Sequence, residues 1–459
     1  MKITDIRFCG AGVLAKNAMN IQKLLGKKKS GIPGRTAGQF CPDFLSHMEK
    51  PETLVYVTGT NGKEEVVELA AKVLKDNNYE FTDNIGMGGD GDSIISALLG
   101  KTGISGKSNC KLAVLAVDER YAPLIYPQMQ PDICVCTNLF RNAPDWNVSV
   151  DFITDILNTN ISNHTKMILN GDDLITSHLK PENERIYFGM EKLPEDSGLR
   201  PNIIQDISVC PKCDTKLDYD FVRYNHLGRA RCPKCDYGSP EADYDVLSVD
   251  REQNCFTMRT PEGRNVYPLL GKNTADLYHE VAAITLLHQL GLTAEQISKS
   301  LASVENKISG YKTEKAGNKE VVMCLTKGKN PVENSRIFEF IAGQGTDCAV
   351  VLLNYDYQDD LHFSENMAWL YETDYEFLNN ACVRQVVAGG KRCYDYQVRA
   401  LLAGIPESQV ECALNVEDVV KLVNISEVDR IYLLYSEGTR PKTAEIKEHL
   451  MKRIEKEAD

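Results

Sequence analysis

Apolar positions along the chain fall into runs of two kinds. Short, nearly continuous runs rich in β-branched and aromatic residues, at 53–57, 112–117, 133–137 and around 167–169, predict buried strands. After the first of them Val66, Val67, Leu69, Ala70, Val73 and Leu74 recur at helical spacing. Strands alternating with helices predict a mostly parallel sheet with helices on both faces. A polar, cysteine-bearing insert at 206–240 interrupts this order, and a helix near 275–290, ending at Gly291, resumes it. A second block of the same kind starts near Gly310, with strands at 320–325, 348–353, 383–387 and 430–435 and a charged last helix from Lys442. Residues 1–50 read as a helical segment carrying the basic patch Lys27-Lys28-Lys29 and a loop, Gly31-Ile-Pro-Gly34.

The chain's 459 residues exceed one ordinary core, so the expected division is a leading segment 1–50, a central domain 51–309 and a C-terminal α/β domain 310–459. Hydrophobic content of 42% and charged content of 25% mark a globular chain. A formal net charge of -13 repels phosphate backbones, so nucleic acid is not an expected partner. No run approaches the roughly 18 apolar residues of a membrane span. The N-terminus lacks a long apolar run and a cleavage site, so no transmembrane segment and a cytoplasmic location are expected. An odd count of fifteen cysteines argues against a disulfide framework. Cys134 and Cys136 sit in an apolar run and read as core.

Four cysteines form one tight pattern: Cys210-Pro-Lys-Cys213, then Cys232-Pro-Lys-Cys235. Zinc favours four soft ligands in a tetrahedron, and two such knuckles supply four thiolates. With all four positions filled by sulfur, the Zn2+ site predicted at Cys210, Cys213, Cys232 and Cys235 is structural.

Thr58-Gly-Thr-Asn-Gly-Lys63 lies between a predicted strand and a predicted helix, the context a phosphate loop requires. Gly59 and Gly62 let the backbone approach phosphate oxygens, the helix N-terminus adds positive potential, and Lys63 reaches the β- and γ-phosphates. Such loops continue with Ser or Thr, whose hydroxyl holds Mg2+; here Glu64 and Glu65 follow, and the Thr60 hydroxyl is on the wrong side of the lysine. A strand-to-helix turn without nucleotide is the plainer alternative. Asp90 and Asp92, in Gly88-Gly-Asp-Gly-Asp92, are either a replacement metal site or a solvated loop.

These residues together resemble the Mur ligase family, and within it the large, MurT-type subunits of isoglutaminyl synthases. The resemblance rests on Thr58 to Lys63, the ribbon with Tyr224-Asn-His-Leu-Gly228, Thr137-Asn-Leu-Phe-Arg141 and Leu169-Asn-Gly-Asp-Asp173. It extends to Tyr187-Phe-Gly189, Lys329-Asn-Pro331, Trp369 to Glu376 and Arg392 to Arg399. It implies a Mur-ligase-like central ATP-binding domain with a parallel sheet and a Rossmann-like C-terminal domain. It implies ATP and Mg2+ bound at Gly59, Thr60, Asn61, Gly62, Lys63, Glu64 and His279, with Lys63 and Asn366 in the catalytic set. The activity it implies is amidation of the D-glutamate carboxylate of a lipid-linked muropeptide through an acyl phosphate. Ammonia would come from a GatD-like glutaminase subunit in a heterodimer, since this chain shows no glycine-flanked cysteine elbow.

Several family positions differ. Glu64 replaces the magnesium hydroxyl, and Ala116 replaces a metal-binding Glu, with Asp118 and Glu119 just beyond. Asn142-Ala-Pro-Asp145 replaces an acidic run, and His279 stands for an Asn on the adenine side. Asn366, beside Glu365, stands where the family has an Asp completing the glutaminase triad. Asn cannot carry the charge that orients a catalytic histidine. Two alternatives therefore stay open: a degenerate paralogue that serves as a non-hydrolysing scaffold or regulator of a glutaminase-type partner, and an amide ligase with another acceptor.

Overall fold

The computed structural model describes residues 3–26, 29–103, 105–141, 149–196, 202–271, 273–304, 311–326, 330–353 and 367–458. They form two compact units. The first comprises Met1–Phe140, Ser149–Pro201 and Asp206–Ile308; the second comprises Arg141–Val148, Asn202–Gln205 and Ser309–Asp459.

In the first unit the strands are β1 (Thr53–Thr58), β2 (Phe81–Thr82), β3 (Leu112–Ala116), β4 (Ile133–Cys136), β5 (Lys166–Asn170), β6 (Arg185–Met190), β7 (Asp218–Tyr224), β8 (Leu227–Arg231), β9 (Tyr244–Asp250), β10 (Cys255–Thr260) and β11 (Gly263–Pro268). Nine of them make one sheet in the order β11-β10-β9-β6-β5-β4-β1-β3-β2. Pairing is parallel from β2 across to β9 and antiparallel for β10 and β11. The central strands are buried along nearly their whole length, which explains their continuous apolar sequences. After β1 the chain builds β2 and β3 on one side and β4 onward on the other. The loop leaving β1 therefore lies where strand order reverses, the place at which open α/β sheets bind ligands. β7 and β8 form a separate hairpin within the cysteine-bearing insert.

The strands at 53–57, 112–117, 133–137 and 167–169 form as expected, as do the helices Lys63–Asp76 and Thr274–Gln289. β9 to β11, toward one edge of the sheet, escape the apolar-run criterion: β10 alternates buried and half-buried residues, and Thr257 and Arg259 at the half-buried positions break up any continuous apolar run. One expectation is overturned. Gly31-Ile-Pro-Gly34 is not a loop but the start of the helix Ile32–Phe40. Proline in a first turn gives up an N–H that has no intrahelical partner anyway. That helix lies so close to the helix Gly91–Leu99 that a Cβ on Gly34 would sit 1.9 Å from the Asp92 carbonyl oxygen.

In the second unit the strands are β12 (Tyr311–Ala316), β13 (Lys319–Leu325), β14 (Cys348–Leu353), β15 (Val383–Gly389), β16 (Val410–Ala413) and β17 (Arg430–Tyr435), ordered β12-β13-β17-β14-β15-β16. All pairs are parallel except β12 with β13. One face packs on Phe338, Trp369, Tyr375 and Tyr396, the other on Val419, Val423, Ile446 and Leu450. Among the described residues no helix is long and apolar enough to cross a membrane.

Leu433 is fully buried on β17, between β13 and β14. Leu433→Ala is expected to destabilise the C-terminal unit by about 2–5 kcal/mol. Urea unfolding followed by circular dichroism would register the loss, and an unchanged midpoint would contradict this core assignment.

Candidate functional site

The loop after β1 is shaped by two glycines with positive φ, Gly59 at +129° and Gly62 at +87°. Neither position accepts a side chain. A Cβ on Gly59 would lie 2.2 Å from Thr137 Oγ1, and one on Gly62 would lie 2.0 Å from His279 Nε2. The loop is tied to the segment leaving β4. The Thr60 amide donates to the Asn138 carbonyl at 3.0 Å, and the Asn61 amide donates to Asn138 Oδ1 at 3.0 Å. Thr137 Oγ1 and Asn138 Nδ2 both donate to the Asn61 carbonyl, at 2.6 and 3.0 Å. The Thr60 hydroxyl accepts from the Phe140 amide at 3.0 Å and donates to the Phe140 carbonyl at 3.3 Å, so it serves the loop. Gly62 is the N-cap of the helix Lys63–Asp76, and no side chain caps that end. The partial positive charge of that helix end favours an anion.

Lys63 lies in this cradle with its side chain 8% exposed. Its Nζ donates to the Gly59 carbonyl at 3.1 Å and stands 3.8 Å from Glu119 Oε2, whose side chain is 1% exposed. Burial by itself would lower the proton affinity of Lys63, but the carboxylates of Glu119, Glu64 and Asp118 outweigh it and hold the ammonium above its ordinary range. Burial likewise pushes Glu119 up, with Lys63 opposing. Burial also pushes Asp118 up, yet Arg120, bonded at 2.8 Å, and Lys63 bring it below the usual carboxylate range. Glu119 Oε2 is buried and makes no hydrogen bond. Glu64 and Glu65 add acidity in the first helical turn, and burial together with those two carboxylates raises Glu68.

The expected residues therefore gather: Gly59, Thr60, Asn61, Gly62, Lys63 and Glu64 form one loop, and His279 packs against it from the helix Thr274–Gln289. Ala116 ends β3 with its N–H and carbonyl both bonded to the Asn84 side chain at 2.8 Å. The carboxylate that reaches the lysine is instead Glu119, three residues further on. The sequence reading noted Glu119 without placing it at the site; its adjacency to the end of a buried strand was the available signal. Glu280 was missed altogether. It accepts from the Leu270 and Gly271 amides at 3.1 and 2.5 Å, fixing the entry to the helix that carries His279, and burial pushes it up to about 8. Asp90 caps the helix Gly91–Leu99 through the Ser93 amide, and Asp92 pairs with Arg35 at 3.2 Å, so both carboxylates have local structural work. Asn366, Glu365, Lys329 and residues 142–145 lie outside the described residues.

The four ribbon cysteines converge, with ligand atoms within 4.8 Å of one another. Three sulfur–sulfur separations are 3.6, 3.4 and 3.7 Å, for Cys210–Cys235, Cys213–Cys232 and Cys213–Cys235. A tetrahedron with metal–sulfur bonds of about 2.3 Å has edges of about 3.8 Å, so the donor set fits a thiophilic ion. Leu174, Leu217, Ala230 and Tyr237 pack around the cluster.

Buried charges fasten the ribbon hairpin to the sheet. Arg223 on β7 bonds Asp172 at 3.3 Å, Asp196 at 2.8 Å and the Tyr278 hydroxyl at 2.9 Å. Arg229 on β8 spans Asp172 and Asp245 at 3.1 and 2.6 Å. His226, in the turn between them, meets Asp173 at 3.0 Å and Asp206 at 3.7 Å. Burial alone would lower the His226 imidazole, but Asp173 and Asp206 raise it to about 9, and His226 in turn holds Asp173 below its usual range against burial.

Because His226 binds its proton more tightly folded than unfolded, its contribution is complete below about pH 6.5 and is lost as pH rises toward 9. A fall on the order of 3 kcal/mol across that window is expected from this group. Asp173→Asn should lower stability at pH 6 and flatten the decline, which thermal melts at several pH values would reveal; parallel profiles for both proteins would refute the pairing. Cys232→Ser should abolish metal binding at the cluster, and elemental analysis showing equal metal in both proteins would contradict the site.

Residues 328–437 match the family profile described as MurT ligase C-terminal. The chain is 27% identical over 396 residues to "Lipid II isoglutaminyl synthase (glutamine-hydrolyzing) subunit MurT" of Staphylococcus aureus (strain COL), covering 85% of this chain and 87% of that protein. It is 26% identical over 414 residues to the like-named subunit of Streptococcus pneumoniae (strain ATCC BAA-255 / R6), covering 88% and 89%. Among solved structures, a pseudomurein peptide ligase type C from Methanothermus fervidus superposes with a TM-score of 0.65 at 18% identity, covering 89% of this chain and 81% of that one. The MurF ligase from Thermotoga maritima in complex with ADP superposes with a TM-score of 0.58 at 14% identity, covering 93% and 85%. With a nucleotide-type loop at the strand-order reversal and a cysteine ribbon set into the same domain, the chain is similar along most of its length to MurT subunits, and it has the fold of Mur-type ligases.

Proposed function

We propose that this chain is the ligase subunit of an ATP-dependent amidating enzyme of peptidoglycan synthesis. Its substrate in this reading is the D-glutamate carboxylate of a lipid-linked muropeptide, and its product is D-isoglutamine. A GatD-like glutaminase in a heterodimer supplies the ammonia, and the need for ATP sets the reaction in the cytoplasm. The observation that carries the reading is Lys63, buried at the mouth of an uncapped helix and facing the buried carboxylate of Glu119.

The reaction balances in two displacements. A carboxylate oxygen attacks the γ-phosphorus and ADP departs; ammonia then attacks the acyl carbon and phosphate departs. The first-turn amides and Lys63 hold the phosphates, placing positive charge where the transferring group gathers negative charge. Glu119, whose buried Oε2 has no hydrogen bond, and Glu64 are hard oxygen donors that fit Mg2+. When bound, that ion supplies charge neutralisation between phosphate oxygens. His279, against Gly62, borders the nucleotide side of the loop. In this reading Asn366 stands where the partner's catalytic histidine is oriented, and Zn2+ at Cys210, Cys213, Cys232 and Cys235 braces the ribbon.

A second reading, a non-hydrolysing scaffold for the glutaminase, is favoured by three features. Glu64 replaces a hydroxyl, the Thr60 and Asn61 amides are committed to Asn138, and Lys63 already bonds the Gly59 carbonyl. The two readings part on one experiment. With the glutaminase and substrate present, Lys63→Ala should lower amidation at least about 100-fold. Mg-ATP at 100 times its dissociation constant should stabilise the wild type by about 2.7 kcal/mol in thermal melts. Equal turnover in both proteins would refute the role given to Lys63, whereas a wild type that neither amidates nor is stabilised by Mg-ATP would leave the scaffold reading standing.

A further inference from the structure

The first helix, Ile3–Leu24, has two faces that disagree with its position in the molecule. Phe8, Ala11 and Ala15 are buried against the rest of the unit, with the Phe8 ring tilted against that of Phe44 at 4.6 Å between centroids. The opposite face of a packed surface helix is normally polar. Here it carries Ile6, Val13, Leu14, Ile21 and Leu24, each between 41% and 86% exposed, followed by Leu25 at 62%. At about 100° per residue those five side chains fall within an arc of about 100° centred away from the buried one. An apolar stripe of that length on water is a sign of something that covers it.

The charge around the stripe says what. The chain is acidic, yet its first 40 residues hold eight of its 52 Lys and Arg and only one of its 65 Asp and Glu. Lys23 lies in the last turn of the helix and Lys29 follows it, and the sequence between them adds Lys27 and Lys28, which lie outside the described residues. Arg7 and Lys16, on the helix itself, donate to the Phe40 and Thr102 carbonyls and so brace it on the unit. An apolar ridge within a cationic segment complements a surface that is apolar beneath and anionic on top. A protein partner would explain the ridge but would not require so strong a local reversal of sign. The acidic remainder is repelled by the same surface, which favours one orientation over all others.

We propose that the helix Ile3–Leu24 lies in the headgroup region of an anionic lipid bilayer, with Ile6, Val13, Leu14, Ile21 and Leu24 inserted and the excess positive charge of the first 40 residues attracted to the lipid phosphates. This peripheral docking does not depend on ligase chemistry, and its test contains neither nucleotide nor muropeptide. Full-length, metal-loaded protein should float with vesicles of phosphatidylglycerol and phosphatidylcholine, at least tenfold more than with pure phosphatidylcholine, and high salt should release it. Ile21→Glu with Leu24→Glu should reduce flotation at least tenfold while leaving the melting temperature unchanged, because both side chains are exposed. Replacing Lys27, Lys28 and Lys29 by Gln should weaken binding about 100-fold, at about fivefold per charge. The proposal is overturned if the wild type stays with the buffer, binds both vesicle types equally, or floats no better than the double Glu variant. It is equally overturned if the wild type sediments as a dimer that the Glu substitutions dissolve without any vesicle binding.

Discussion

Two adjacent buried carboxylates, Asp172 and Asp173, hold the catalytic unit together. A pair of carboxylates removed from water would be strongly unfavourable unless each were fully matched. Asp172 receives Arg223, Arg229 and the Tyr278 hydroxyl, and Asp173 receives His226, the Leu139 amide and the Thr176 hydroxyl. The partners come from every part of the unit: Arg223, His226 and Arg229 from the ribbon hairpin, Tyr278 from the helix behind the loop, Leu139 from the segment that frames it. Removing one partner from such a buried set costs about 3–5 kcal/mol, because the other charge stays behind uncompensated. Neighbouring backbone is shaped to the same pair: a Cβ on Gly189 would lie 2.9 Å from Asp172 Oδ1.

The pair gives the cysteine ribbon a place in the chemistry without touching substrate. Its metal-sized cluster orders the hairpin; the hairpin presents cations to Asp172 and Asp173; Tyr278 precedes His279, which fills the space behind Gly62. Asp173 also fixes the Leu139 amide, next to the Asn138 that binds Thr60 and Asn61. A ribbon with all four positions sulfur performs no reaction, but through this sequence of contacts it sets where the loop can sit. Positioning of that kind matters because phosphoryl transfer depends chiefly on geometry and charge.

How much of this the sequence disclosed follows from the range of the forces involved. The buried strands and the helix after the loop were legible because local periodicity reports burial, and the cysteine cluster because its ligands come in pairs three residues apart. The strand-to-helix turn at 58–63 was legible because its glycines answer to local backbone geometry at +129° and +87°. Glu119, Glu280 and the partners of Asp172 were not. Each is an ordinary charged residue until a strand or helix distant in sequence buries it, as with Arg223 and Asp172, 51 positions apart. The same holds for the apolar face of the first helix, whose exposure appears only once its other face is packed. The Gly31–Gly34 segment failed for a different reason: Gly and Pro punctuate chains in two ways, and proline opens helices as readily as it forms turns.

The carboxylates around Lys63 have a final consequence. Their net effect is to keep the ammonium protonated through the neutral range, so the cradle's positive charge does not titrate where the protein works. Two groups that titrate at or above neutrality lie in the framework around the loop. Glu280, raised by burial to about 8, is favoured in its neutral form when folded, so it disfavours folding increasingly as pH climbs from its unfolded value toward 8. His226 loses its contribution over an overlapping alkaline range. Both groups brace the loop from behind, one at the entry to the helix that carries His279 and the other on Asp173. Mild alkali therefore loosens the walls of the cradle while leaving its charge intact, and nucleotide affinity should decline through disorder of the site before any change in the charge of Lys63.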